Sequence, residues 1–174
     1  MNVSEAIYQR RSIRRFTSSL IEPEKIEILL KSAMQAPSAG NQQPWEFLVI
    51  TSKKTLFHLS KTHPYATPLE NATLGIVMLS NQKSLKYSEY WQQDLAAATQ
   101  TLLLQAVELG LGAVWTGIAP DEGRMNYIEK LFNLPSHIIP FALLALGYPA
   151  YPSITENRFN AKKIHYETYC EERE

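Results

Sequence analysis

The sequence has no excess of either charge: Lys plus Arg and Asp plus Glu are each 17, and the formal net charge is zero. A chain so balanced has no general attraction for nucleic acid or an anionic membrane surface, so neither is an expected partner. Cysteine is almost missing. Cys170 stands alone near the end of the chain and cannot close an internal disulfide, which points to a reducing setting. No apolar run reaches membrane-spanning length, and the opening MNVSEAIYQRR lacks the apolar centre of a signal peptide, so a cytoplasmic protein is expected. The histidines (His58, His63, His137, His165) have neither cysteine partners nor HExxH spacing, and nothing resembles a Ser/His/Asp constellation. Neither a metal centre nor a protein nucleophile is therefore expected. With no repeat, low-complexity tract or linker, 174 residues fit one domain.

Hydrophobic spacing divides that domain into alternating helices and strands. Val3, Ala6, Ile7 and Arg10 fit a short opening helix with Ser4 and Glu5 in its first turn, and residues 13–17 read as extended. Pro23 and Glu24 open a second helix carrying Ile26, Leu29, Leu30 and Ala33 at helical spacing, and Pro37 ends it. Further helices are expected over 53–61, over 91–109 with Gly110 as its stop, and over 122–132 with Asp121 as its cap. Strands are expected over 45–51, 72–80, 113–116 and 138–146, and the proline-broken HPYATPLE reads as loop. The result is an α+β domain around a central sheet of four to five strands. Residues 3–150 form its core, and 151–174 are a tail with no core of their own.

Three segments carry chemistry. RRSIRRF places Arg10, Arg11, Arg14 and Arg15 within six positions; these need an anion or water, and guanidinium forks suit phosphate oxygens, with Ser12 as an added donor. APSAGNQQPWEFLVI is a turn of small and amide residues leading into a strand. GLGAVWTG contains a GxG, but its glycines follow a helix and precede a strand, the reverse of the dinucleotide-binding order. Taken singly, these read equally as a solvated arginine face, an ordinary helix-to-strand turn and a strand-end glycine.

Taken in register, they resemble the nitroreductase family of FMN-dependent oxidoreductases. RRSxR sits near the start, PSxxNxQPW about one helix later, YWQQDLAAATQTLLLQAVELGLGAVWTG (90–117) matches the long central helix and next strand, and FALLALGYPA (141–150) matches the last core strand. The resemblance implies a mostly antiparallel sheet flanked by helices in an intertwined homodimer, with the tail 151–174 wrapping the partner. It implies bound FMN, NADH or NADPH as reductant, and a small oxidised acceptor such as a nitroaromatic or quinone, used in ping-pong order. By the same resemblance Arg10, Arg11, Ser12 and Arg14 take the phosphate and flavin-edge positions, with Arg14 the candidate for the N1 side, where a cation would stabilise the reduced ring. Pro37, Ser38, Ala39, Asn41 and Gln43 match the segment reaching the partner's flavin. Thr116 and Gly117 match the residues against the ring, where a backbone N–H faces N5. In RFNAKKIHYE, Lys163, and after it Lys162, matches a basic residue returning to the phosphate, where the family more often has arginine. No catalytic side chain is implied, because the flavin carries the redox chemistry.

One departure is visible. Larger members carry extra helices over the open flavin face, whereas here only NQKSLKYSEY (81–90) is available, so the pocket is expected to be shallow. Tyr87, Tyr90 and Trp91 either line it or belong to core and interface. A flavin-binding or flavin-sensing protein with little turnover, and a divergent chemistry such as reductive dehalogenation, stand as alternatives.

Overall fold

The structure, a computed structural model, describes residues 1–169; Cys170 lies outside the described residues. Three of the five described α-helices begin on a side chain that accepts from their first free N–H groups. Helix α1, Val3–Gln9, starts on a capping box in which Asn2 accepts from the Glu5 N–H while the Glu5 carboxylate accepts from the Asn2 N–H. Helix α2, Pro23–Ala33, opens on its proline, whose missing N–H would be unpaired there anyway. Ser52 caps α3, Lys53–Ser60, and Asp121 caps α5, Glu122–Phe132. The longest helix, α4, Trp91–Glu108, has no side-chain cap.

Four strands, β1 (Trp45–Ile50), β2 (Leu74–Asn81), β3 (Gly112–Gly117) and β4 (Ile138–Gly147), form one sheet in the order β1-β2-β4-β3, with every pair antiparallel. Both faces are covered, so the two middle strands read as unbroken apolar runs rather than alternating ones. Side chains still alternate between faces. Ile76, Met78 and Leu144 meet Leu29, Ala33, Leu95 and Leu102 of α2 and α4. Val77, Leu79 and Leu143 meet Leu56, Leu59 and Ile128 of α3 and α5. Ala98 belongs to the core on the α2 and α4 side, and Ala96 and Ala97 are only partly buried.

The sequence reading differs from the structure at HPYATPLE. Instead of open loop, Pro64–Glu70 forms 3-10 turns: His63 Nδ1 caps the Tyr65 N–H, and Ala66 and Leu69 are buried in the lower core. Pro64 fits, because it sits in the first turn where no N–H is required. The Ala72 N–H closes onto this turn, so β2 begins two residues later than the apolar run suggests.

The arginine segment is laid along the sheet by its two apolar residues. Ser12 makes a parallel bridge with Ala113 at the edge of β3, and Phe16 bridges Pro149 beyond β4. Ile13 packs where a Cβ on Gly112 would lie, and Phe16 does the same over Gly147, so only glycine lets the segment come so close. With Ile13 and Phe16 turned inward, Arg14 and Arg15 are left exposed.

Candidate functional site

Arg11, Ser12 and Arg14 line one open cavity of about 520 Å³ together with Ile154, Thr155, Glu156 and Arg158 of the tail. Arg11 is the organising residue. Its Nε donates to the Ile154 carbonyl at 2.8 Å, and its Nη2 contacts the Glu156 carboxylate at 3.2 Å. Arg158 reaches the same carboxylate oxygen at 3.3 Å. An anion thus already sits on this guanidinium, and it comes from the chain itself. Arg14 donates to the Ser12 carbonyl at 3.2 Å, while Arg10 joins Arg11 in lining a neighbouring cavity with Tyr8 and Gln100. Lys162 and Lys163 stand exposed on a short 3-10 turn capped by Asn160; neither lines the Arg11 cavity.

The second segment forms a tight loop between α2 and β1. Gly40, Asn41 and Gln43 all have φ near +50°, a left-handed conformation that costs a non-glycine residue about 1–2 kcal/mol. Ser38 Oγ accepts from the Gln43 N–H at 3.0 Å, and Asn41 Oδ1 accepts from the Gln43 amide at 3.0 Å. Beneath them lies Asp94, 4 % exposed, in the first turn of α4. It accepts from the Ala39 N–H at 2.8 Å and from Gln42 Nε2 at 2.6 Å. Pro37, Asn41 and Gln43 remain exposed above this buried anchor, and Ser38 and Ala39 partly so.

Thr116 and Gly117 end β3 and split in role. The Thr116 hydroxyl is buried and donates to the Leu143 carbonyl at 2.9 Å, so it secures the sheet. The Ile118 N–H bonds to the Phe141 carbonyl, and residues of an antiparallel ladder face their partner alternately; both Gly117 backbone groups therefore turn away from β4. A Cβ on Gly117 would meet nothing within 4 Å. Arg124 Nη1 donates to the Gly117 carbonyl at 2.9 Å, and Asp121 holds that guanidinium at 3.3 Å. Burial, and then the Arg124 charge, keep His63 below the ordinary imidazole value. Its Nδ1 accepts a hydrogen bond, so its proton sits on Nε2, which is buried with no partner among the described residues.

Trp91 and Trp115 both pack on Phe141, at 5.9 Å and 5.6 Å between ring centroids, and lie half-buried against the core. Tyr87 instead covers Gly40, where a Cβ would overlap its ring. Sequence reasoning missed Asp94, Arg124 and Glu156. Asp94 was detectable: it falls on the helical stripe of Trp91, Leu95, Ala98 and Leu102, where a carboxylate has to be anchoring something. Nothing local distinguishes Glu156, which the fold pairs with Arg11, 145 positions away, whereas Arg124 bonds within its own neighbourhood, to Gly117 and Asp121.

Comparison with known proteins bears on the family and the fold. The model of the nitroreductase family matches residues 7–67 and 60–148. A "Putative NADH dehydrogenase/NAD(P)H nitroreductase" of Methanothermobacter thermautotrophicus is 40% identical over 169 residues, covering 97% of this chain and 88% of that protein. The crystal structure of a "Putative NADH Oxidase" from Clostridium acetobutylicum superposes with a TM-score of 0.93 at 48% identity, covering 94% of this chain and 99% of that one. A "putative nitroreductase in complex with fmn" from Desulfovibrio desulfuricans superposes with a TM-score of 0.83 at 30% identity, covering 98% of this chain and 99% of that one.

Proposed function

The chain belongs to the nitroreductase family, and from that premise we propose that it is an FMN-dependent oxidoreductase working as a homodimer in the cytoplasm. The observation that carries this reading is the placement of Arg11, Ser12 and Arg14 around one open cavity, with a carboxylate already drawn to Arg11. A phosphate offers that guanidinium the same kind of oxygen with more charge. Arg10, Arg11 and Ser12 would hold the phosphate, Arg14 the N1 edge, and Gly117, with open space at its Cβ position and its N–H turned off the sheet, would lie against the ring together with Thr116. Pro37, Ser38, Ala39, Asn41 and Gln43 would reach the flavin of a second copy, and Lys163 or Lys162 would approach its phosphate as a point charge.

Bound FMN would supply hydride chemistry, taking reducing equivalents from NADH or NADPH and passing them in ping-pong order to an acceptor such as a nitroaromatic or quinone. The protein's share is orientation and charge. The dimer is supported by the apolar residues left exposed on the tail, Tyr151, Ile154, Phe159 and Tyr166, and on α1, Val3, Ile7 and Tyr8. No described helix is long and apolar enough to cross a membrane.

Purified protein should be yellow, bleach under anaerobic NADH or NADPH, and recover with acceptor; it should sediment at about twice 19.8 kDa. A colourless protein that takes up no FMN, or a monomer that retains it, sinks the proposal. A second reading, flavin binding with little turnover, rests on the two short 3-10 turns, Gln82–Ser84 and Ser88–Tyr90, that stand in the 81–90 segment. Yellow protein that binds NAD(P)H without bleaching would select it.

A further inference from the structure

The buried side chains under the amide loop join it to a second loop that carries no assigned role. Gln42 is 6 % exposed and makes bonds in two directions. Its Nε2 donates to Asp94 at 2.6 Å and to the Tyr87 carbonyl at 3.2 Å, while its Oε1 accepts from the Lys86 and Tyr87 N–H groups, both at 2.9 Å. Asp94 also holds the Ala39 N–H, and the Tyr87 ring covers Gly40. The amide loop, the 81–90 segment and the first turn of α4 therefore meet at one buried amide and one buried carboxylate. Few residue types would replace them: Gln42 offers a donor and an acceptor at the ends of one planar group, and Asp94 takes two donors at once. The left-handed residues of the loop need such over-determination to persist.

We propose that Gln42 and Asp94 are positioning residues that make the flavin-facing loop and the Tyr87 segment a single mechanical unit, so that whatever orders one loop orders the other. The consequence, which rests on the FMN reading, is that acceptor selection belongs partly to Tyr87. This ring, half exposed and backed by Gly40, is a wall fixed relative to the loop that meets the flavin. A mobile lid would let acceptors of many shapes enter. A wall pinned from below favours flat ones.

Amide hydrogen exchange tests the coupling, first without FMN. In the apoprotein, Gln42→Ala should speed exchange at the Lys86 and Tyr87 amides by about tenfold or more, as expected for loss of a buried hydrogen bond. Because the loops are one unit, the Ala39 amide, which bonds to Asp94 and not to Gln42, should accelerate with them. Acceleration at Lys86 and Tyr87 with Ala39 unchanged overturns the proposal. If Gln42→Ala does not fold, Gln42→Glu serves instead: its carboxylate keeps the acceptor for both amides but faces Asp94. Because a carboxylate cannot donate to Asp94 as the amide does, the Ala39 amide should exchange faster, and the Lys86 and Tyr87 amides should accelerate with it. Acceleration confined to Ala39 overturns it.

With FMN added to the wild-type protein, slower exchange at Ala39 should be accompanied by slower exchange at Lys86 and Tyr87, and Gln42→Ala should cut that link. The same variant should raise KM for a planar quinone several-fold more than it lowers kcat. Protein that takes up no FMN would refute the cofactor reading while leaving the apoprotein result to decide the coupling.

Discussion

The two halves of the candidate site are built in opposite ways. The amide loop rests on Asp94 and Gln42, which are 4 % and 6 % exposed and joined at 2.6 Å. The arginine strip is closed by Glu156, whose side chain is 63% exposed where it meets Arg11 at 3.2 Å. Buried hydrogen bonds to a charged group contribute about 1.5–3 kcal/mol each, whereas exposed ion pairs contribute about 0–1 kcal/mol. One half is finished in the free chain, and in the FMN reading the other is completed by the ligand. Ring-edge recognition needs fixed donors at defined angles; phosphate capture needs a charge that is available when the anion comes.

Asp94→Ala should test this contrast with the largest effect. It removes the acceptor for two buried donors, so a loss of about 3–5 kcal/mol is expected, seen as a fall of roughly 6–20 °C in the melting midpoint of the apoprotein. A fall within about 2 °C would show that the loop is not anchored there. Arg11→Ala should do the reverse. Its apo melt should change little, since the carboxylate in the pair it breaks is 63% exposed, while FMN affinity falls by roughly one to two decades. Stoichiometric flavin surviving dialysis in that variant would remove Arg11 from the phosphate site.

Lys163→Glu should have a smaller effect, about 1 kcal/mol on FMN affinity, and only if the tail of one copy reaches the flavin of the other. It is read as a reduced rise of the melting midpoint at fixed FMN, because a ligand that binds only the folded state stabilises it by mass action. A full FMN response would leave the phosphate to the arginines alone.

The fold was legible where short-range rules apply. The four strands follow from apolar runs bounded by turn residues, and the Asp121 cap and the Pro23 helix start are local signals. The candidate site was legible only as residue types. PSAGNQQPW shows amides and turn formers, but its handedness is set by Asp94, more than fifty positions downstream, and its roof is Tyr87. HPYATPLE was misread because prolines mark both loops and first helical turns, and the His63 cap decides between them. The Arg11–Glu156 pair was not legible at all: it joins a half-buried arginine to an exposed tail carboxylate 145 positions away and leaves no periodic trace.

That pair gives the smallest and most discriminating prediction. Phosphate and the Glu156 carboxylate, both anions, compete for the charge of Arg11, so in the FMN reading Glu156 opposes the phosphate there. Glu156→Gln keeps the size and the acceptor oxygen but removes the charge, so the competitor is weakened without opening the cavity. The apo melt should shift by less than about 1 kcal/mol, the range of an exposed pair. FMN affinity should rise by up to about fivefold, the same free energy released to the ligand. Because both anions are exposed on the same cation, the advantage over wild type should shrink as salt is raised from 50 to 500 mM, when the Debye length falls to a few ångströms. The direction is what matters. If Glu156→Gln weakens FMN binding instead, the carboxylate is part of the finished site and orders Arg11 for its ligand, and the arginine strip would be prebuilt in the same sense as the amide loop.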